Sequence, residues 1–102
     1  MRVLDMGDVF TALADPTRRA ILDELTERNG QTLFELCARL TTRHQICMSR
    51  QAISQHIDLL VAAGLVLTRH EGRYTFHHVN PTPLEHLVDR WLPHPPRSQE
   101  AP

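Results

Sequence analysis

Apolar residues recur along this chain at two periods, and the change from one to the other divides the sequence. Met6, Val9, Phe10 and Leu13 repeat at helical spacing and predict a short helix over 5–14. Asp15 follows at an N-cap position with Pro16 at the favoured first helical position, which predicts a second helix over 16–29. In that helix Ile21, Leu22 and Leu25 are expected to face inward, and Arg18, Arg19, Asp23, Glu24 and Glu27 to face water. Asn29-Gly30 stops it. Thr32 and Glu35 make a capping-box signature for a helix whose apolar side carries Leu33, Leu36, Cys37 and Leu40. Residues 41–47, TTRHQIC, have weak periodicity and fit either an extra helical turn or a loop. Ser49 is placed to cap a fourth helix that runs to Ala63. There Ile53, Ile57, Leu60 and Val61 form the expected buried stripe, and Gln51, Ser54, Gln55 and Asp58 share another face. Gly64 closes it.

The period then drops to two. Leu65 to His70 is short and rich in apolar and branched residues, Glu71-Gly72 is a turn signal, and Tyr74 to Val79 alternates, so a β-hairpin is predicted. The alternation leaves open whether Tyr74, Phe76 and His78 or Thr75, His77 and Val79 pack inward. Pro81 and Pro83 flank the start of a last helix with Leu84, Leu87, Val88 and Trp91 as its stripe, and Pro93, Pro95 and Pro96 end it. The expected fold is mainly α with a β-hairpin wing, a winged helix-turn-helix, in one domain over 1–92. The tail 93–102 is expected to be disordered.

Composition narrows the function. A chain of 102 residues suits one small domain with a modest core, for which an oligomeric interface is a ready source of further burial. The net charge of -1 does not announce a nucleic-acid partner, but its distribution is uneven. Residues 39–77 hold Arg39, Arg43, Arg50, Arg69 and Arg73 against Asp58 and Glu71, with four of the seven histidines. A basic face on a neutral domain is the reading this suggests, and ordinary solvated surface is its plain rival. The basic residues are all arginine, whose fork suits phosphates and guanine edges. No run is apolar enough to span a membrane, the N-terminus does not read as a signal peptide, and Cys37 and Cys47 form no close-spaced pair, so the cytoplasm is the expected address. With no glycine-rich phosphate loop, no paired carboxylates and no nucleophile beside an obvious base, an enzyme is not expected.

Three stretches, LADPTRRAILDELTE at 13–27, TLFELCARL at 32–40 and SRQAISQHIDLLVAAGLVLTRHEGRYTFHHVNPTPL at 49–84, resemble the ArsR-type (arsenic-repressor-like) winged helix-turn-helix regulators. The resemblance covers nearly all of the expected domain. It implies a homodimer joined through the first and last helices, with helix 49–63 in the major groove of double-stranded DNA, hairpin 65–79 as the wing, and repression at a palindromic operator, relieved in many members by a ligand or metal. The family's thiolate site uses a Cys-x-Cys, whereas here Cys37 is followed by Ala38 and Arg39. The last helix offers only His86 and Asp89 towards the zinc-sensing pattern. No metal site and no cofactor are therefore expected, and the effector stays unassigned.

On that frame the DNA-contacting candidates are Ser49, Arg50, Gln51, Ser54, Gln55 and His56 on the fourth helix and Arg69, Arg73 and Tyr74 on the wing. Gln and Ser suit base edges, and Arg suits phosphate or guanine. His56 fits a phosphate contact or the edge of the core equally, and Tyr74 fits DNA or the hairpin. Thr17, Arg18 and Arg19 suit an anion site at a helix start or, more plainly, surface or intersubunit ion pairs. Cys37 reads as a buried inert thiol. The dimer-interface candidates are Met6, Phe10, Leu13, Leu84, Leu87, Val88 and Trp91. A winged-helix module for protein–protein contact without DNA is the alternative, though it would need no arginines on the wing.

Overall fold

A computed structural model describes residues 6–92, with side chains from Asp8 onward. The expected disorder of 93–102 and the interface role of the Met6 side chain lie outside the described residues. The order of elements is α1 (Met6–Leu13), α2 (Pro16–Glu27), α3 (Leu33–His44), α4 (Arg50–Ala62), β1 (Val66–Glu71), β2 (Tyr74–Val79) and α5 (Thr82–Trp91). The fold is mainly helical with one antiparallel hairpin, as the two periods predict. None of the described helices is long and apolar enough to cross a membrane.

Local chemistry sets the helix starts. The Asp15 carboxylate accepts from the backbone N–H of Thr17 at 2.8 Å and of Arg18 at 3.1 Å. Thr32 and Glu35 close a reciprocal capping box on α3. Ser49 Oγ accepts from Ala52 N–H at 3.1 Å and opens α4. Each such cap contributes about 1 kcal/mol. Residues 41–47 divide: helix α3 continues to His44, Gln45 turns left-handed with φ 56°, and an irregular run leads to Ser49. Behind α4, Gly64 takes φ 79°, which a side chain would strain.

The core joins Val9 and Ala12 of α1, Ile21 and Leu25 of α2, Leu36 and Leu40 of α3, Ile53, Ile57 and Leu60 of α4, and Leu65 and Val66. Two expectations fail here. Val61 is 39% exposed rather than buried, because one residue beyond Leu60 is a turn of about 100°, which carries it off a stripe already filled at i, i+4 and i+7. On α2, Arg18 and Glu24 are buried rather than wet, because each finds polar partners inside the fold.

The wing pairs Val66 with Val79 and Glu71 with Tyr74. Its orientation follows from its base. Gln31 bridges His77 through Gln31 N–H to His77 O at 3.2 Å and His77 N–H to Gln31 O at 2.8 Å. His77 is therefore buried, and the Thr75, His77 and Val79 side is the inner face. With cross-strand partners sharing a face, Val66, Thr68 and His70 join it, while Leu67, Arg69, Glu71, Tyr74, Phe76 and His78 look outward.

Candidate nucleic-acid interface

Three buried residues, Ile53, Ile57 and Leu60, pin one side of α4 to the core, which turns Arg50, Gln51, Gln55 and Asp58 outward. Ser49 is also exposed at the helix start, and Ser54 is half-buried beside the wing. Between α4, the start of α3 and the inner wing face runs a groove of about 590 Å³. Arg50 and Ser54 line it from the helix, and Arg73, Thr68 and Thr75 from the wing. His70 completes it, its Nδ1 at 2.9 Å from Thr75 Oγ1. Among the described residues Arg50 and Arg73 have no ion-pair partner. Two unneutralised guanidiniums thus face one groove, and Asp58 is the acidic group along it.

The sequence-predicted set is only partly gathered. Arg50, Ser54, Arg73 and Tyr74 meet around the groove, and Gln51 and Gln55 stand on the solvent side of the same helix. Tyr74 is exposed, with its ring 6.3 Å from that of Phe76. Arg69 lies on the outer wing face and is paired to Glu71 at 2.8 Å. His56 occupies the flank of α4 that meets α2, where Arg18 Nη1 lies 3.0 Å from its Nδ1. Sequence reasoning missed Thr68, His70 and Thr75. The signal was present, since they share a strand face with Val66 and Val79, but it needed the packing of His77 to decide which face mattered.

The remaining cations of 39–77 do not belong to this surface. Glu24, 2% exposed, accepts from Arg39 Nε at 2.6 Å and Arg43 Nε at 3.0 Å and lies 2.8 Å from His44 Nε2. Arg43 also reaches Glu27 at 2.6 Å. Burial pushes the Glu24 carboxyl upward, but the hydrogen bonds from Arg39, His44 and Arg43 outweigh it, and its pKa falls below the usual glutamate value. The same contact with Glu24 raises the pKa of Arg39. The basic stretch read from the sequence is thereby corrected: its first two arginines clamp α3 to α2 instead of joining a free basic face. The α2 start is filled as well, because Asp15 takes its backbone donors, and Arg18 and Arg19 bond the carbonyls of Thr11, Ala12 and Leu13.

Cys37 is half-buried, and burial raises its thiol pKa against a smaller opposing pull from Arg50. Cys47 is exposed. Arg39, at the position where the resemblance implies a second thiolate, is committed to Glu24. Among the described residues no three His, Cys, Asp or Glu groups gather as a metal site. Away from the groove, α1 and α5 leave apolar surface open. Phe10 is exposed, Trp91 is 60% exposed, and their rings lie 6.0 Å apart. Val88 is also exposed, while Leu13, Leu84 and Leu87 pack partly against the core.

Comparison with known proteins bears on the fold and the family. A family model described as a helix-turn-helix domain matches residues 13–69. The chain is 46% identical over 84 residues to YuzN, an HTH-type transcriptional regulator of Bacillus subtilis, covering 82% of this chain and 91% of the relative. It is 29% identical over 87 residues to the transcriptional repressor SdpR of the same organism, covering 85% and 88%. Among solved structures, an ArsR-like transcriptional regulator from Rhodococcus sp. RHA1 superposes with a TM-score of 0.72 at 33% identity, over 83% of this chain and 72% of that one.

Proposed function

The chain belongs to the ArsR-type winged helix-turn-helix transcriptional regulators, and from that premise we propose that it is a dimeric repressor that reads a palindromic operator in double-stranded DNA. Helix α4 enters the major groove, where Gln51, Ser54 and Gln55 meet base edges and Ser49 and Arg50 meet the backbone or a guanine. The wing follows the neighbouring phosphates or minor groove through Arg73, with Tyr74 beside it. The observation that carries this reading is the groove between α4 and the wing, faced by two arginines without ion-pair partners among the described residues. Unpaired guanidiniums around a concave, hydroxyl-lined surface suit a polyanion and would serve no purpose in an apolar protein–protein module.

Dimerisation through α1 and α5 is supported by the exposed Phe10, Val88 and Trp91. Repression draws support from SdpR, a relative that bears the name repressor. Two copies of α4 would meet successive major grooves roughly 34 Å apart, so the target has inverted half-sites. The test is selection of bound duplexes from a random pool with the full-length protein, combined with sedimentation at micromolar concentration. An inverted repeat and a dimer are expected. Sequence-independent recovery, or a monomer at that concentration, contradicts the proposal.

A further inference from the structure

Arg18 does more than fill space. It is buried, and from α2 its guanidinium reaches two other helices at once. Nε donates to Ala12 O at 2.9 Å and Nη2 to Thr11 O at 3.0 Å, both at the end of α1. Nη1 lies 3.0 Å from His56 Nδ1 on α4. A guanidinium has only donors, so His56 Nδ1 has to be the acceptor in that contact. The neutral ring then carries its proton on Nε2. That atom has no partner among the described residues, yet it is not sealed in, because the one buried unpartnered side-chain polar atom among them is Gln31 Oε1. With the His56 side chain 20% exposed on the flank of α4, Nε2 is the ring nitrogen left for a partner outside the fold. The charged groups facing its ring from α2 and its cap are Arg18 and the Asp15 carboxylate, whose Oδ2 is 3.9 Å from Nδ1.

We propose that Arg18 is a positioning residue for DNA binding: it locks His56 in the Nε2–H tautomer, so that the neutral imidazole donates to a backbone phosphate beside α4, and it ties that helix to the end of α1. The proposal rests on the reading of α4 as the DNA helix. A neutral donor fixes register without neutralising a phosphate, so its removal weakens binding without changing the number of counterions released.

Two measurements test it. The ¹⁵N spectrum of the free protein is expected to show His56 Nδ1 unprotonated and Nε2 protonated at neutral pH, and R18K is expected to release that preference. A proton on Nδ1 in the wild type overturns the proposal whatever the DNA result. In the second measurement, titrations against the selected operator at several salt concentrations compare the wild type with H56Q and H56F. Glutamine offers an acceptor to Arg18 and an N–H outward, and is expected to stay within about threefold of wild type, while H56F loses roughly tenfold per half-site with an unchanged salt slope. Wild-type affinity in H56F, or equal loss in H56Q and H56F, refutes it. Failure of the wild type to bind any selected duplex is a different result: it removes the DNA reading and the phosphate role with it, while the ¹⁵N spectrum still reports on the Arg18–His56 contact.

Discussion

Arg39 and Arg43 on α3 stand close in sequence to Arg50 on α4, yet the two regions use arginine in opposite ways. On the α2–α3 side, Arg39, Arg43 and His44 converge on the buried Glu24. On the α4–wing side, Arg50 and Arg73 face a groove without an ion-pair partner among the described residues. The first group has its charge consumed by folding and clamps α3 to α2. The second keeps its charge available for a partner. Charge counted along a sequence cannot separate these cases, because the acid that neutralises Arg39 lies fifteen residues earlier in the chain, on another helix.

The comparison predicts effects that divide by region. Glu24→Ala should have the largest effect on the fold, lowering stability by roughly 2–3 kcal/mol in chemical denaturation, since it removes the acceptor shared by two arginines and His44. The contribution of Glu24 also has a pH signature. A carboxyl with a depressed folded-state pKa stabilises fully above its unfolded value and ceases to do so as pH falls through the lower folded value. Acid titration of the melting temperature should therefore show a loss on the acidic side that Glu24→Gln flattens. An unaltered acid limb in that variant would break the clamp half of the comparison.

On the other side, Gln55→Ala should leave stability within about 0.5 kcal/mol of wild type. It should cost roughly 1–3 kcal/mol of preference at one symmetric base position in each half-site, read by titrating matched and mismatched operators. Arg69→Ala should do least. Its guanidinium is exposed and already engaged with Glu71, so both stability and DNA affinity should move by under about 0.5 kcal/mol. A large loss of affinity from that change would place the outer wing face on DNA and redraw the boundary between the two regions.

Most of the fold was legible because local signals agreed. Asp15 with Pro16, the Thr32–Glu35 pair and Ser49 mark helix starts by a backbone hydrogen-bonding need that few residue types meet, and Gly64 marks a helix end by a left-handed φ. Residues 41–47 were not legible, since Thr41, Thr42 and Arg43 face outward and leave no apolar stripe to follow. Arg18 and Glu24 misled for a related reason. Polar residues at helical spacing read as a wet face, and only tertiary partners reveal that they are inside. At the candidate site, the α4 residues followed from periodicity. Arg69 and Arg73 look equivalent in sequence, but strand register turns Arg69 outward to Glu71 and leaves Arg73 at the groove.

The central proposal is that Arg73 presents its charge to DNA while Arg43 has spent its charge on the fold. The direct measurement is the salt dependence of operator affinity for the wild type, Arg73→Ala and Arg43→Ala under identical conditions. In Arg73→Ala the slope of log affinity against log salt should fall by about one for each lost phosphate contact, with weaker binding to all sequences. In Arg43→Ala the slope should match wild type even if the protein melts earlier. The opposite pattern, with a reduced slope in Arg43→Ala and a wild-type slope in Arg73→Ala, would contradict the assignment of the DNA-facing surface.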